Sequence, residues 1–69
     1  MELTPVHSSN IDAIGYDRET HTLSVQFLSG KTYTYANVPE ELYRAFLAAP
    51  SKGQYFARMI RPAYTGVQV

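Results

Sequence analysis

The sequence has 69 residues and a mass of 7.8 kDa, and its six Lys and Arg are matched by six Asp and Glu, so the formal charge is zero. This length holds one small domain, and the balanced charge excludes a protein that is basic over its whole surface. There is no cysteine, which excludes disulfides, thiolate metal sites and cysteine nucleophiles. We therefore predict a single domain over residues 1–69, with a core at about 5–64 and a C-terminal tail at 65–69.

The first ten residues, MELTPVHSSN, have neither the basic start nor the apolar run of a signal peptide, and no long apolar segment follows them. Small secreted domains also usually depend on disulfides, which this sequence cannot form. We expect a cytoplasmic protein with no membrane contact.

The first half of the sequence has the alternation and the turn residues that are typical of short antiparallel strands. Leu23, Val25 and Phe27 alternate with polar residues, which gives that strand one apolar face. Gly15 predicts a bulge or a close backbone approach within the first strand. The three predicted strands are Ile11–Tyr16, Leu23–Phe27 and Lys31–Ala36.

The second half of the sequence changes to helical periodicity. Pro39, followed by acidic residues, marks the start of a helix that runs to about Ala49. Ser51 to Gln54 has the pattern of a capping box and starts a second helix, whose apolar face is formed by Tyr55, Phe56 and Met59 and which Pro62 ends. The predicted fold is α+β, a three-stranded antiparallel meander followed by two helices packed on one face of the sheet.

Charge is distributed unevenly along the chain. All six acidic residues and two of the six basic residues lie in residues 1–41. Residues 42–69 contain no acidic residue and the other four basic residues, Arg44, Lys52, Arg58 and Arg61. This segment predicts a local basic patch on the helices. The alternative is that these are solvated charges scattered over a small domain.

Tyrosine is abundant, with six copies in a chain that has no tryptophan. The candidates for flat surfaces on which unpaired bases stack are Tyr33, Tyr35, Tyr55 and Tyr64. The alternative is that tyrosine rings fill a small core while their hydroxyls stay in water.

Residues with catalytic or metal-binding chemistry are sparse. His7 and His21 do not have the spacing of a metal site, and Asp12, Asp17 and Glu19 do not have the spacing of a calcium-binding loop. We predict no enzymatic activity, no cofactor and no metal site.

Several short motifs are spread over residues 5–64: Ser8-Ser9-Asn10-Ile11, Gly15-Tyr16-Asp17, Val38-Pro39, Ala49-Pro50-Ser51-Lys52-Gly53, Tyr55-Phe56, Ile60-Arg61 and Tyr64. With these motifs the sequence resembles the KTSC domain family, a module at the C-terminus of some lysyl-tRNA synthetases that also occurs as stand-alone bacterial and phage proteins. The run from Ala49 to Phe56, followed by Ile60-Arg61, is the most specific part of the resemblance.

The resemblance implies nucleic-acid binding, because the module is attached to an enzyme that handles tRNA. We predict a small non-enzymatic module that binds RNA or a single strand through a basic and aromatic surface. Its candidate residues are Lys52, Arg58, Arg61 and Arg44 for phosphates and Tyr55 or Tyr35 for a base. The alternatives are a protein-interaction adaptor or homodimer that docks through a sheet edge, and a protein that acts only beside an unlinked host or phage protein.

Overall fold

The computed structural model describes residues 3–69, which form one antiparallel sheet with helices on one face. The strands are β1 (Thr4–Pro5), β2 (Ile11–Asp17), β3 (Thr22–Phe27), β4 (Thr32–Tyr35) and β5 (Gly66–Gln68), and they lie side by side in chain order. The helices are α1 (Glu40–Ala48) and α2 (Lys52–Tyr55), and a π-helical segment (Phe56–Ile60) follows α2 directly. The predicted α+β class, with an antiparallel sheet followed by two helices, is confirmed.

The sheet has five strands rather than the three predicted. β1 pairs with β2, and β5 pairs with β4, so the two additional strands form the two edges of the sheet. Residues 65–69 were predicted as a tail, yet Gly66–Gln68 is a strand and the Val69 amide donates to the Thr32 carbonyl at 2.9 Å. Both edge strands are too short to show alternation, so their pairing partners determine their structure.

A bulge in β2 places its apolar residues on the core side. The pairing with β3 shifts by one residue between Ile11 and Ala13, so Asp12 is the extra residue and is exposed. Because of this residue, Ile11 and Ile14 both face the core although they are three positions apart, and both are fully buried. The bulge predicted at Gly15 is not there, because Gly15 pairs in register with β3.

The core lies between one sheet face and the helices. Its fully buried large side chains come from the strands, the loop after β4, α1 and the π-helical segment: Ile11, Ile14, Leu23, Val25, Val38, Phe46 and Ile60. On the opposite face, small side chains lie in register across four strands: Gly15, Ser24, Thr34 and Val67. None of the helices described in residues 3–69 has the length and apolar character needed to cross a membrane.

Candidate nucleic-acid interface

The second helix begins with the cap that the sequence predicts. The Ser51 hydroxyl accepts a hydrogen bond from the Gln54 amide at 3.3 Å, which satisfies one of the free N–H groups of the first turn. The return bond from the Gln54 side chain is not among the hydrogen bonds of residues 3–69. Lys52 begins the helix, and its ammonium group donates to the Ala49 carbonyl at 2.8 Å, so it also ties the helix to the end of α1.

The π-helical segment sets the directions of the side chains that follow. The Arg61 amide donates to the Phe56 carbonyl at 2.9 Å, a hydrogen bond across five positions. Phe56 and Ile60 are four positions apart, lie on the same side of the segment and are both buried. Met59, which an α-helix would place on the apolar face with Phe56, is 48% exposed. The predicted inward position of Met59 is therefore wrong.

A cleft of about 430 Å³ lies between the helical segment and the β4–β5 side of the sheet. We call it the Arg61 cleft. Its aromatic lining residues are Phe27, Tyr33, Tyr35, Phe56 and Tyr64. Two polar side chains, Asn10 and Arg61, and three small residues, Gly53, Ala57 and Gly66, complete the lining. Within the part of the chain that the structure describes, the lining contains one cationic side chain and no acidic one.

Two glycines let the walls of this cleft approach closely. An ideal Cβ on Gly53 would lie 2.7 Å from Oδ1 of Asn10, and an ideal Cβ on Gly66 would lie 2.7 Å from Cε2 of Tyr35. Both distances are shorter than any normal contact, so only glycine fits at either position without a shift of its neighbour. The Asn10 amide and the Tyr35 ring therefore lie directly against the backbone on two sides of the cleft.

Tyr35 belongs to the core rather than to the surface. Its ring is 5% exposed and packs edge to face on Phe56, with ring centroids 5.7 Å apart. Burial is the main cause that raises the pKa of the Tyr35 hydroxyl above its ordinary value of 10.0. The nearby Tyr33 raises this pKa further, while the positive charge of Arg61 lowers it. A buried ring offers no free face, so the predicted stacking of a base on Tyr35 does not fit its position.

The other candidate residues lie apart from one another. Arg58 and Tyr55 line a second cleft of about 350 Å³ beside the end of α1. The ring of Tyr55 is half-buried and stacks on Phe46 at 5.6 Å, which leaves only its other face for a ligand. Lys52 lines a third, polar cleft together with His7 and neighbouring serines. Three of the four cations thus surround one helical segment but open into different clefts.

Arg44 is separate from this group. Its guanidinium donates to Oε2 of Glu40 at 2.9 Å, and Arg18 approaches the same oxygen at 3.2 Å. These are the ion pairs of residues 3–69, and neither involves Lys52, Arg58 or Arg61. The predicted basic patch is therefore reduced to the cations of the segment from Lys52 to Arg61.

Sequence reasoning did not identify Asn10 as a site residue, and it named Tyr33 and Tyr64 as possible stacking rings without placing them in one cleft. Asn10 lies far from the helices in sequence, and only the loop before β2 brings it against Gly53. Tyr33 and Tyr64 reach the same cleft because β4 pairs with β5 and the chain turns after Ile60, where the Tyr64 amide donates to the Ile60 carbonyl at 2.9 Å. The motif Ser8-Ser9-Asn10 was the available signal for the asparagine.

The fold and the cleft define a class of small α+β domain, in which an antiparallel meander is covered on one face by two helices and carries a mixed aromatic and basic cleft. The KTSC domain family matches residues 7–64, and the chain belongs to this family. The crystal structure of a KTSC domain protein from Yersinia pestis superimposes with a TM-score of 0.95 at 37% identity, over 99% of this chain and 96% of that chain.

Relatives include small proteins and segments of a larger one. A protein of Tsukamurella paurometabola is 38% identical over 94% of this chain and 97% of its own length. An uncharacterised protein of Stutzerimonas stutzeri is 38% identical over 93% of this chain and 90% of its own length. A lysine–tRNA ligase of Nostoc punctiforme is 40% identical over 77% of this chain, but the matched segment is 9% of that ligase.

Proposed function

We propose that the protein is a small, non-enzymatic module that binds RNA or another single strand through the cations of the segment from Lys52 to Arg61. The observation that carries this proposal is that Lys52, Arg58 and Arg61 surround one helical segment and that neither ion pair of residues 3–69 involves them. Cations that are not paired with carboxylates are available to phosphates. The protein would act in the cytoplasm, as the cysteine-free sequence predicts.

Two further observations support the proposal. Aromatic side chains adjoin the cations, with Tyr55 beside Arg58 and Tyr64 beside Arg61, which is the combination that single-strand binders use. Segments similar to this chain also occur within lysine–tRNA ligases. Such a ligase acts on tRNA, and on the basis of this similarity we propose RNA as the ligand of this chain.

The number of cations sets the expected salt dependence. If all three contact phosphates of a single strand, the slope of log K against log salt is about −2, from roughly −0.7 per contact. Arg44 is expected to add little, because its guanidinium is already hydrogen-bonded to Glu40. The binding is therefore weak and falls steeply between low and physiological salt.

The test is a titration of a fluorescent, mixed-sequence single-stranded RNA, followed by anisotropy at ~20 and ~200 mM salt. The combined variant Lys52→Glu/Arg61→Glu should abolish binding, and Arg58→Ala should lower the salt slope by roughly 0.7. Arg44→Ala is the matched control and should bind as the parent protein does. Unchanged affinity in the Lys52→Glu/Arg61→Glu variant would disprove the proposal.

The second candidate function is a protein-interaction or homodimer module, which the helix-free face of the sheet favours. Val67 lies on that face and is 60% exposed, next to the small side chains of Gly15, Ser24 and Thr34. Sedimentation over a hundredfold range of concentration distinguishes this candidate. A shift from monomer to dimer that Val67→Lys prevents would favour it, and a monomer at every concentration would argue against the homodimer.

A further inference from the structure

The floor of the Arg61 cleft is a continuous set of aromatic rings packed edge to face. Tyr33 meets Phe27 at a centroid distance of 5.8 Å, Phe27 meets Phe56 at 5.4 Å, and Phe56 meets Tyr35 at 5.7 Å. Their interplanar angles lie between 73° and 79°. Each ring fixes the next, so the floor is formed before any ligand arrives. Tyr35 and Phe56 are buried, so the partly exposed rings of Phe27 and Tyr33 are the part of this floor that a flat ligand ring can contact.

The wall on the helix side has almost no side chains. Gly53 and Ala57 are four positions apart and both line the cleft, and Arg61 follows four positions later on the same side. The π-helical turn keeps Arg61 in line with the two small residues. A ligand can thus lie against the backbone of this wall while its anionic end meets the guanidinium.

The polar groups of the cleft are one cation, which donates hydrogen bonds, and several uncharged groups that can donate or accept them. Among residues 3–69, Arg61 carries the only charge in the lining, and the Asn10 amide and tyrosine hydroxyls supply further hydrogen-bonding groups. A guanidinium binds phosphate oxygens with two parallel hydrogen bonds, while an amide can pair with the edge of a base. A ligand with one anionic end and one flat, polar-edged ring matches this arrangement.

We propose that the Arg61 cleft binds a single nucleotide unit, with its phosphate on Arg61 and its base over the aromatic floor near Tyr33 and Tyr64. A cleft of about 430 Å³ is near the lower end of the range for small-molecule sites, so it holds one nucleotide and not several. This inference rests on the proposed function for the source of the ligand, since an RNA strand supplies such a unit. The cleft proposal adds a division of roles to the proposed function. The Arg61 cleft recognises one nucleotide, whereas Lys52 and Arg58 attract the phosphates of the strand without recognising a base.

The test uses adenosine and uridine monophosphates, the corresponding nucleosides and inorganic phosphate, each titrated into the 15N-labelled protein at low salt. The monophosphates should shift the amides of Gly53, Ala57 and Gly66. Nucleosides and phosphate should bind at least tenfold more weakly, because each makes only part of the contacts. If phosphate alone gives the same shifts at the same concentrations as a monophosphate, the cleft recognises an anion only and the proposal is overturned.

A matched pair of variants tests the location of the ligand. Ala57→Leu fills the cleft from an exposed helix position and should weaken monophosphate binding at least tenfold. Ala45→Leu makes the same change at an exposed position of α1 and should leave binding unchanged. The amide spectra of both variants without ligand establish that they remain folded. Equal binding by the two variants would overturn the proposal.

Single-stranded RNA separates this proposal from the proposed function. If RNA binds with the expected salt slope, but Ala57→Leu has no effect and monophosphates cause no shifts, the cleft proposal fails while the proposed function stands. If monophosphates bind in the cleft but RNA does not bind, the proposed function fails and the cleft remains a nucleotide site. If RNA binds and Ala57→Leu weakens it by the same factor as it weakens the monophosphates, both are supported.

Discussion

Gly66 on β5 lies directly opposite Tyr35 on β4, with its backbone against the tyrosine ring. Tyr35 is 5% exposed and its ring packs on Phe56, so a methyl group added at Gly66 would overlap the ring unless the ring or β5 shifts. Glycine at position 66 therefore allows β5 to pair with β4 without displacing the Tyr35 ring.

Gly66→Ala should separate β5 from β4. We expect a loss of about 1–3 kcal/mol of stability, as for other overpacked sites, or local release of the strand. Hydrogen exchange at the Val69 amide, which donates to Thr32, reports the separation and should accelerate. Gln68→Ala, an exposed change in the same strand, is the control and should leave this exchange rate near that of the parent. Slow exchange in Gly66→Ala would contradict the prediction.

The buried hydroxyl of Tyr35 should make the fold sensitive to alkaline pH. Its pKa in the folded protein is raised above the ordinary 10.0, mainly by burial, so folding favours the protonated form. The stability from this group is complete below about pH 10 and is lost as the pH rises through the folded pKa. Urea unfolding between pH 8 and pH 11.5 should therefore show a fall in the free energy of unfolding that is smaller in Tyr35→Phe.

Tyr16 contributes to the same pH dependence. Burial, and then the charge of Glu40, raise the pKa of the Tyr16 hydroxyl, which also donates a short hydrogen bond to the Val38 carbonyl. A double variant Tyr16→Phe/Tyr35→Phe should have the flattest profile above pH 10. A parent protein whose stability does not fall above pH 10 would contradict both assignments.

The cap of the second helix should be measurable by itself. Ser51→Ala removes the acceptor of the Gln54 amide and should cost about 1 kcal/mol in urea unfolding. Ser51→Asp retains an acceptor and should preserve most of the stability. Equal losses in the two variants would mean that the bond contributes nothing.

The π-helical segment is tested by neighbouring residues with opposite exposure. Ile60 is fully buried, so Ile60→Ala should cost about 2–5 kcal/mol through lost contacts and a cavity. Met59 is 48% exposed, so Met59→Ala should stay within about 0.5 kcal/mol of the parent. The reverse order of the two losses would contradict the buried position of Ile60 and the exposed position of Met59.

The sequence was sufficient for the parts of the fold that have a regular period. Alternation at Leu23, Val25 and Phe27 predicted β3, and Pro39 predicted the start of α1, because these signals are local. The bulge at Asp12 depends on which face of β2 packs on the core. The sequence of β2 alone does not determine that face, because it depends on the pairing of β2 with β3. The π-helical turn has no local signal of this kind, and it leaves Met59 48% exposed although helical periodicity placed it on the apolar face with Phe56.

The sequence predicted which types of residue form the candidate site better than it predicted where each residue lies in the fold. The lack of acidic residues after Glu41 indicated the basic segment, and Arg61 does line a cleft. The position of Arg44 beside Glu40 follows from their helical spacing of four residues, a pairing that the charge count along the chain did not consider. Tyr35 was a candidate for base stacking, with a core position as the alternative, because alternation in β4 does not show which face is covered; the structure buries it.

The two edge strands of the sheet decide where a label can be attached. β1 and β5 are separated by four strand spacings, roughly 19 Å at about 4.8 Å each. A fluorophore, affinity tag or surface tether on the exposed residues of β1 is therefore across the sheet from Gly66, which lines the Arg61 cleft. A label at Val69 is three residues from Gly66, on the β5 side of the sheet. Immobilisation through β1 is the orientation in which binding experiments report the free cleft.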